Sequence, residues 1–176
     1  SDQLRMLRAG DVVTYCFHGG AECILSDGRV LDSVWEARER GVLFDVGHGM
    51  ASFDFDVAES AISQGFPPDT ISSDQYLRHV GSAPRHDLPR TISKLIAVGM
   101  SQADALAAAT VRPARTLGLS GEVGTLAVGS AADLALLRWN RDAAPLADVA
   151  GAERPGACLE PVLTVRAGEV IRPDDA

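Results

Sequence analysis

The sequence predicts an α/β fold with parallel strands, followed by a smaller β-rich segment. Two observations predict the first part: three short apolar runs that do not alternate with polar residues, and helix-like segments between them. Short connections between these segments favour parallel βαβ units. A third observation, the closer spacing of glycines and short β-prone runs after residue 118, predicts the second part. We therefore divide the chain into residues 1–118 and 119–176.

The first part is predicted to alternate strands and helices. The predicted strands cover residues 12–17, 42–46 and 69–74. The predicted helices cover the end of a first helix before Gly10, residues 32–40, a segment from Asp54 or Asp56 to Gly65, residues 87–99 and residues 101–110, with a last turn at 113–118. Asp32, Asp87 and Ser101 are predicted N-caps, and Asp27-Gly28 predicts a tight hairpin.

The second part is predicted to be a small β-sandwich-like domain segment. Its predicted strands cover residues 132–137, 162–166 and 169–171. The segment from Asn140 to Ala157 is polar and carries two prolines, so we predict a mobile loop there.

Composition narrows the class of protein and its partners. The chain has 176 residues, 46% of them hydrophobic, and a net charge of -8. This charge argues against nucleic acid or an anionic membrane as a partner, since phosphate groups would be repelled. No apolar run approaches the ~20 residues of a membrane span. Three cysteines without a CxxC pair predict reduced thiols in a cytoplasmic protein.

Polar residues follow each of the three predicted parallel strands. Tyr15 to His18 follow the first, His48 the second, and Asp74 ends the third. Because ligands bind at the carboxyl ends of parallel strands, these side chains are expected on one face. Histidine and carboxylate together can hold a metal, and a carboxylate can act as a general base.

Each of these residues also has a purely structural interpretation. His48 could be a hydrogen-bonded part of the scaffold, and Asp74 could cap the loop that follows it. His18, next to two glycines, could mark only a tight turn. His79 and His86 lie in a predicted loop, where we expect them to face solvent.

Several motifs occur in a fixed order along the chain. They are the segments at residues 11–19, 44–49, 68–74, 88–100 and 109–114, followed by Gly121-Glu122-Val123-Gly124-Thr125-Leu126, Gly129 and Ala132-Asp133-Leu134. Together they resemble the amidohydrolase superfamily, specifically its dihydroorotase-like deacetylase branch. The Asp-Val-Gly-His-Gly segment at residues 45–49 is the more specific to that branch.

The resemblance implies a fold and a chemistry. The family has a (β/α)₈ TIM barrel with a small β domain, and the three strands here look like its sixth, seventh and eighth. Family members bind one or two divalent metals, usually zinc, and hydrolyse amide or ester bonds such as those of N-acyl amino acids. Asp74 then corresponds to the catalytic residue that ligates metal and transfers the proton. His48 and Gly49 correspond to residues that line the substrate pocket.

The sequence departs from the family pattern at the metal ligands. Tyr15 stands where the family carries a ligating histidine, and a phenol titrating near ~10 is a poor zinc ligand; His18 lies three residues on. Tyr76 stands where a histidine is usual. The remaining ligands would precede Ser1, and the first residues resemble the end of a helix, so we expect a fragment.

Two functions follow from these observations. The chain is either the carboxyl-terminal part of a metal-dependent deacetylase, acting on a small acyl-amino-acid-like substrate, or a catalytically inactive truncated paralogue that acts as a binding or structural protein. Three βα units leave open strand edges. We therefore expect either a missing amino-terminal portion or a homo-oligomer.

Overall fold

The computed structural model describes residues 2–83 and 85–172, with only the backbone of Asp2. Ser1 and residues 173–176, at the outer ends of the two predicted parts, lie outside the described residues. The helices are α1 (Asp2–Met6), α2 (Asp32–Glu39), α3 (Phe55–Ser63), α4 (Leu88–Ala97), α5 (Gln102–Ala109) and α6 (Val111–Thr116). The strands are β1 (Val12–Val13), β2 (Leu25–Ser26), β3 (Arg29–Val30), β4 (Leu43–Phe44), β5 (Leu134–Asn140), β6 (Leu146–Ala147), β7 (Glu153–Arg154), β8 (Cys158–Arg166) and β9 (Glu169–Ile171). Leu77–His79 form a 3₁₀ turn.

The three segments predicted as strands of the first part lie side by side and run parallel. β1 pairs with β4, Val12 opposite Leu43. On the other side of β4, Asp45 forms a parallel bridge with Thr70, and the Val46 amide donates to the Thr70 carbonyl at 3.2 Å. We call residues 12–16, 42–49 and 69–74 the parallel sheet.

Regular pairing in this sheet is shorter than the sequence predicts. The strand predicted over residues 12–17 is paired regularly only at Val12–Val13. Its continuation is broken because Tyr15 adopts a left-handed backbone conformation with φ of 62°. Such a φ is unfavourable for a residue with a Cβ and turns the chain out of the strand. The turn gives Tyr15 its place at the candidate site.

An aromatic cluster packs beneath the parallel sheet. Phe44 of β4 and Phe66 are fully buried, with ring centroids 5.0 Å apart at 71°. Trp35 of α2 meets the Phe66 ring edge-on, also at 5.0 Å. The Arg38 guanidinium lies 3.6 Å above the Phe66 ring. Edge-to-face and cation–π contacts of this kind add to the gain from burying the rings.

The Asp45 carboxylate joins all three segments of the parallel sheet. Its oxygens accept hydrogen bonds from the hydroxyls of Thr14 at 2.9 Å, Thr70 at 2.7 Å and Ser72 at 2.6 Å. Asp45 is only 8% exposed, and a buried carboxylate is costly unless it is hydrogen-bonded. Three hydroxyl donors from two neighbouring segments meet that need and fix the order of the three segments.

Side-chain caps fix the starts of three helices, as the sequence predicts. Asp54 accepts from the Asp56 amide at 2.9 Å and begins α3. Asp87 and Ser101 cap α4 and α5 through amides three residues on. The prediction that Asp32 caps α2 is wrong, because Leu31 occupies the N-cap without a side-chain bond and Asp32 is the first helical residue. Its charge still lies in the first turn, where the helix dipole favours an anion.

The hairpin predicted at Asp27-Gly28 is confirmed. Leu25 pairs with Val30 in antiparallel register, and Ser26 with Arg29. Asp27 and Gly28 have φ of 49° and 74°. Two consecutive positive φ values are typical of the two-residue turn that matches the twist of a hairpin.

The second part contains a three-stranded antiparallel sheet in the order β5-β8-β9. The segment predicted as a mobile loop instead contains the antiparallel pair of β6 and β7. Leu146 of β6 is fully buried, and Asp148 accepts from the Phe55 amide of α3 at 3.1 Å. The Leu159 amide of β8 donates to the Ser93 hydroxyl of α4 at 2.8 Å. The β-rich segment therefore packs directly on helices of the first part.

Two predictions from composition can be compared with the described residues. Cys16, Cys23 and Cys158 are free thiols, as expected. Within residues 2–83 and 85–172, no helix combines the length and the apolar surface that crossing a bilayer requires.

The role of Asp45 gives the first testable prediction. Replacing Asp45 with Asn removes the charge and turns one acceptor oxygen into a donor, so at least one hydroxyl loses its partner. We expect the free energy of unfolding to fall by about 2–3 kcal/mol. Urea denaturation followed by circular dichroism measures the change.

The matched control is Asp142→Asn, which makes the same chemical change at an exposed position. Its unfolding curve should overlay that of the parent chain. Equal midpoints for the two variants would show that Asp45 does not join the sheet energetically.

Candidate active site

Asp74 lies at the carboxyl end of the parallel sheet, next to Tyr15. Its Oδ2 accepts a hydrogen bond from the Tyr15 hydroxyl at 3.1 Å and another from the Tyr76 hydroxyl at 2.9 Å. Asp74 and Tyr15 both have positive φ, 46° and 62°. Non-glycine residues in this conformation cluster at functional sites. The predicted convergence of strand ends is thus present for Tyr15 and Asp74.

The carboxylate keeps both phenols protonated. The pKa of Tyr15 is raised above 10.0, first by its hydrogen bond to Asp74 and then by the charge of that carboxylate. The pKa of Tyr76 is raised as well, again chiefly by the hydrogen bond to Asp74. Both phenols are therefore neutral hydrogen-bond donors at physiological pH.

Two glycines let residues 42–49 of the parallel sheet lie close to the segments on either side. Gly47 and Gly49 have φ of 50° and 49°. A Cβ on Gly49 would lie 2.9 Å from Asp74 Oδ2, and one on Gly47 would overlap the Thr14 hydroxyl. Both the close approach and the backbone conformation require glycine here. The Gly-His-Gly pattern is thus explained by contact with Asp74 and Thr14.

His48 lies behind these glycines, with both ring nitrogens engaged. Its side chain is 3% exposed. Nδ1 lies 2.9 Å from the Gly49 carbonyl oxygen, and Nε2 lies 2.7 Å from Lys94 Nζ. A carbonyl can only accept, so Nδ1 carries the proton and Nε2 accepts from Lys94. The ring also stacks on Phe53 at 5.0 Å and 15°.

The environment of the His48 ring disfavours its charged form. Burial, followed by the positive charge of Lys94, lowers the pKa of His48 from 6.5 to about 3. Burial also lowers the pKa of Lys94 from 10.5 to about 8, with Arg90 as the next cause. The imidazole is therefore neutral at physiological pH.

Two further histidines complete this cluster, contrary to the expectation that they face solvent. His86 meets the His48 ring edge-on, with centroids 4.9 Å apart, and its Nε2 lies 3.0 Å from the Ser73 carbonyl oxygen. His79 is 7% exposed and packs on His86 at 4.1 Å. The loop folds back over the sheet, where the His79 ring packs on His86 and the His86 ring meets His48 edge-on.

His18 has a local contact of the kind expected for a tight turn. Its Nδ1 accepts from the Gly20 amide at 3.1 Å. Tyr15, not His18, contacts Asp74. His18 and Tyr15 both line an open groove of about 900 Å³ beside β1, together with Val13 and Ser52.

The residues needed for a complete metal site are not assembled here. In residues 2–83 and 85–172, no group of three or more His, Cys, Asp or Glu side chains is placed to hold a metal ion. A zinc site usually needs at least three protein ligands. The described residues therefore do not form a whole zinc site by themselves.

Sequence reasoning missed the roles of Asp45, Lys94 and His86. One signal was available for Lys94, which is the only lysine among the 176 residues, beside fifteen arginines. His86 gave no signal, because its contact with His48 joins residues 38 positions apart through an irregular loop.

The pKa of His48 predicts how stability depends on pH. Between pH 6.5 and about 3, an unfolded His48 binds a proton that the folded residue does not. The contribution of the buried neutral His48 to the free energy of unfolding is fully present above pH 6.5. We expect it to be lost as pH falls, by about 3–5 kcal/mol. Urea midpoints measured across this pH range for the parent chain and His48→Gln should show a shallower loss in the variant.

His18→Gln is the control for that experiment, since it removes an imidazole outside the cluster. It should keep the slope of the parent chain. If His48→Gln also keeps that slope, the buried neutral state of His48 is contradicted.

The two phenols can be titrated directly, because Tyr15 and Tyr76 are the only tyrosines in the sequence. The midpoint of the rise in tyrosinate absorbance should lie above pH 10 in the parent chain. Asp74→Asn removes the charge that raises both pKa values, so its absorbance should rise at lower pH. An unchanged curve in Asp74→Asn, matching that of Asp142→Asn, would contradict the contacts.

Comparison with known proteins reveals the family. The family model described as "Amidohydrolase family" matches residues 23–170. A deacetylase of Enterococcus faecalis is 35% identical over 170 residues, which span 95% of this chain and 46% of that protein. A deacetylase of Brucella anthropi is 40% identical over 134 residues, 76% of this chain and 33% of that protein. The chain thus spans less than half the length of these relatives.

Solved structures agree. The crystal structure of an adenine deaminase superimposes with a TM-score of 0.89 at 33% identity, over 97% of this chain and 47% of that one. The crystal structure of a dihydroorotase superimposes with a TM-score of 0.82 at 34% identity, over 97% of this chain and 45% of that one. Because these neighbours are TIM-barrel proteins, the fold is that of part of such a barrel. The chain belongs to the amidohydrolase family.

Proposed function

We propose that this chain forms the carboxyl-terminal part of a metal-dependent amidohydrolase that cleaves an amide or ester bond. The parallel sheet would supply the sixth, seventh and eighth strands of the barrel. The observation that carries the proposal is the placement of Asp74 at the carboxyl end of this sheet, half-buried beside Gly49 and held by two phenols. Active sites of (β/α)₈ enzymes lie at this end of the strands.

Asp74 would be the catalytic residue, as a general base and then a general acid. Its Oδ2 is held by the Tyr15 and Tyr76 hydroxyls, which fixes the carboxylate in one orientation. A held carboxylate can take a proton from water and return it to the leaving amine or alcohol. Since both phenols are protonated at neutral pH, both can donate to Oδ2.

Asp74 would also be one ligand of a divalent metal in the complete protein, with zinc as the preferred ion. Family members generally depend on a divalent metal, which polarises the scissile carbonyl and lowers the pKa of water. The other ligands must come from residues that the described chain does not contain, in keeping with its spanning less than half of its relatives.

His48 and Gly49 would form the wall of the substrate pocket next to Asp74. Gly49 lies against Asp74 Oδ2, where a side chain would overlap the carboxylate. His48 holds this wall through its bond to the Gly49 carbonyl. The relatives are named deacetylases, and we propose that the substrate here is a small acylated molecule such as an N-acyl amino acid. Three free cysteines agree with a cytoplasmic location.

A second candidate function is favoured by Tyr15. In the resemblance that the sequence shows, this position carries a ligating histidine, and here the phenol occupies an oxygen of Asp74 instead. A chain in which the phenol replaces the metal ligand would be an inactive paralogue that serves as a binding or structural protein. The two candidates differ in whether Asp74 carries out chemistry once the barrel is complete.

The isolated chain is expected to bind zinc weakly and to leave N-acetyl amino acids intact, because the described residues supply one ligand. It should also associate into oligomers or aggregates, since β1 is an edge strand without a second partner strand among the described residues. Elemental analysis after dialysis, an acetate-release assay and sedimentation velocity measure these outcomes. Stoichiometric zinc with turnover that Asp74→Asn abolishes would show that the chain is active alone.

A complete barrel tests the function itself. The matching 46% of the Enterococcus faecalis relative is replaced by residues 1–176, and the hybrid is assayed with N-acetyl amino acids. Metal-dependent acetate release that drops about 10²-fold or more in Asp74→Asn is expected. Asp142→Asn should retain the activity of the hybrid.

A folded, metal-loaded hybrid without turnover would favour the inactive paralogue. In that case Tyr15→His is the deciding variant, since it restores an imidazole at the position where the family carries a ligating histidine. Gain of activity with Tyr15→His would assign the loss to Tyr15.

A further inference from the structure

The only lysine of the sequence is buried, and no carboxylate of the described residues forms an ion pair with it. Lys94 is 6% exposed. Among the described residues, no Asp or Glu oxygen lies within ion-pair distance of its Nζ. A buried ammonium is expensive, and the other fifteen cationic side chains of the sequence are all arginine. A buried lysine without an ion-pair partner among the described residues, in the last turn of α4, therefore calls for an explanation.

The Lys94 ammonium is directed at one acceptor. Nζ lies 2.7 Å from His48 Nε2 and 5.7 Å from the centroid of Phe53, on which the imidazole stacks. An imidazole has one donor and one acceptor nitrogen when neutral. A donor at Nε2 therefore forces the proton onto Nδ1, which faces the Gly49 carbonyl.

The bond from His48 to Gly49 reaches Asp74. The Gly49 amide donates to the Ser73 carbonyl at 3.1 Å, and Ser73 directly precedes Asp74. The same carbonyl receives His86 Nε2 at 3.0 Å. A Cβ on Gly49 would lie 2.9 Å from Asp74 Oδ2, so the Gly49 backbone lies close to the Asp74 carboxylate. One chain of bonds thus connects α4 to the carboxylate.

We infer that Lys94 is a positioning residue: it donates to His48 Nε2, fixes the Nδ1–H tautomer and so holds Gly49 in place beside Asp74. The inference rests on the proposed function only for the reaction at Asp74. The contacts themselves are tested without measuring hydrolysis, so a failure here and a failure of the proposed activity give different results.

The first test uses the parent chain labelled with ¹³Cε-lysine and ¹⁵N-histidine. Lys94 gives the only lysine signal, and the His48 signals are those lost in His48→Gln. The inference predicts the Nδ1–H tautomer for His48. It also predicts that the His48 ¹⁵Nε2 shift changes over the same pH interval as the Lys94 ¹³Cε shift. An Nε2–H tautomer, or no common pH interval, would overturn it.

The second test uses Lys94→Met, which keeps most of the apolar stem and removes the donor. His48 should change from one tautomer to a mixture, and the amide resonances of Gly49 and Asp74 should shift. Arg115→Met, which removes an exposed cation of α6, should change none of them. A folded Lys94→Met with an unchanged His48 tautomer and unchanged Gly49 resonance would overturn the inference. If Lys94→Met does not fold, the titration of the parent chain decides alone.

Discussion

The Asp45 carboxylate is the interaction on which the rest of the structure depends. It accepts from three hydroxyls on two segments and lies on the third, so it ties together strands that have little regular pairing of their own. Regular ladder pairing is limited to two residue pairs between β1 and β4 and one bridge between Asp45 and Thr70, beside backbone hydrogen bonds such as those from residues 46–49 to residues 70–73. Ladders this short are weakly specified, and side-chain bonds to one buried acceptor add to the order that these backbone bonds give.

At the candidate site, Asp74 is held from two sides. On the solvent side, Tyr15 and Tyr76 hold Asp74 Oδ2. On the buried side, Lys94 and His48 hold Gly49 against the same oxygen. Positive φ at Tyr15 and Asp74 places backbone strain at the point where the two constraints meet. Strain of this kind persists only where the surroundings fix it. Asp45 provides that support through its hydrogen bonds to Thr14 and Ser72, close in sequence to Tyr15 and Asp74.

Much of this arrangement could be predicted from the sequence, since it depends on local patterns. Aspartate and serine caps, the Asp-Gly turn and the convergence of strand ends all follow from short-range chemistry. What could not be predicted depends on contacts between distant residues. The first strand is shorter than predicted because nothing local signals the left-handed Tyr15, whereas β5 and β8 extend beyond the predicted residues 132–137 and 162–166. The fold-back of His79 and His86 and the burial of Lys94 require the packed sheet to exist first. The pairing of β6 with β7 could not be predicted from this polar segment, because Leu146 and Asp148 make their contacts with the first part of the chain.

The chain has the fold of part of an amidohydrolase barrel and spans less than half of its relatives. We nevertheless expect its parallel sheet to be ordered by the hydrogen bonds within it. Native-state hydrogen exchange tests this most directly. The amides of Val46, His48 and Gly49, which donate across to residues 70–73, should exchange only through global unfolding and show the slowest rates in the chain. Exchange of these three amides as fast as that of amides in highly exposed loop residues such as Val128 would show that the sheet is not ordered by its own bonds.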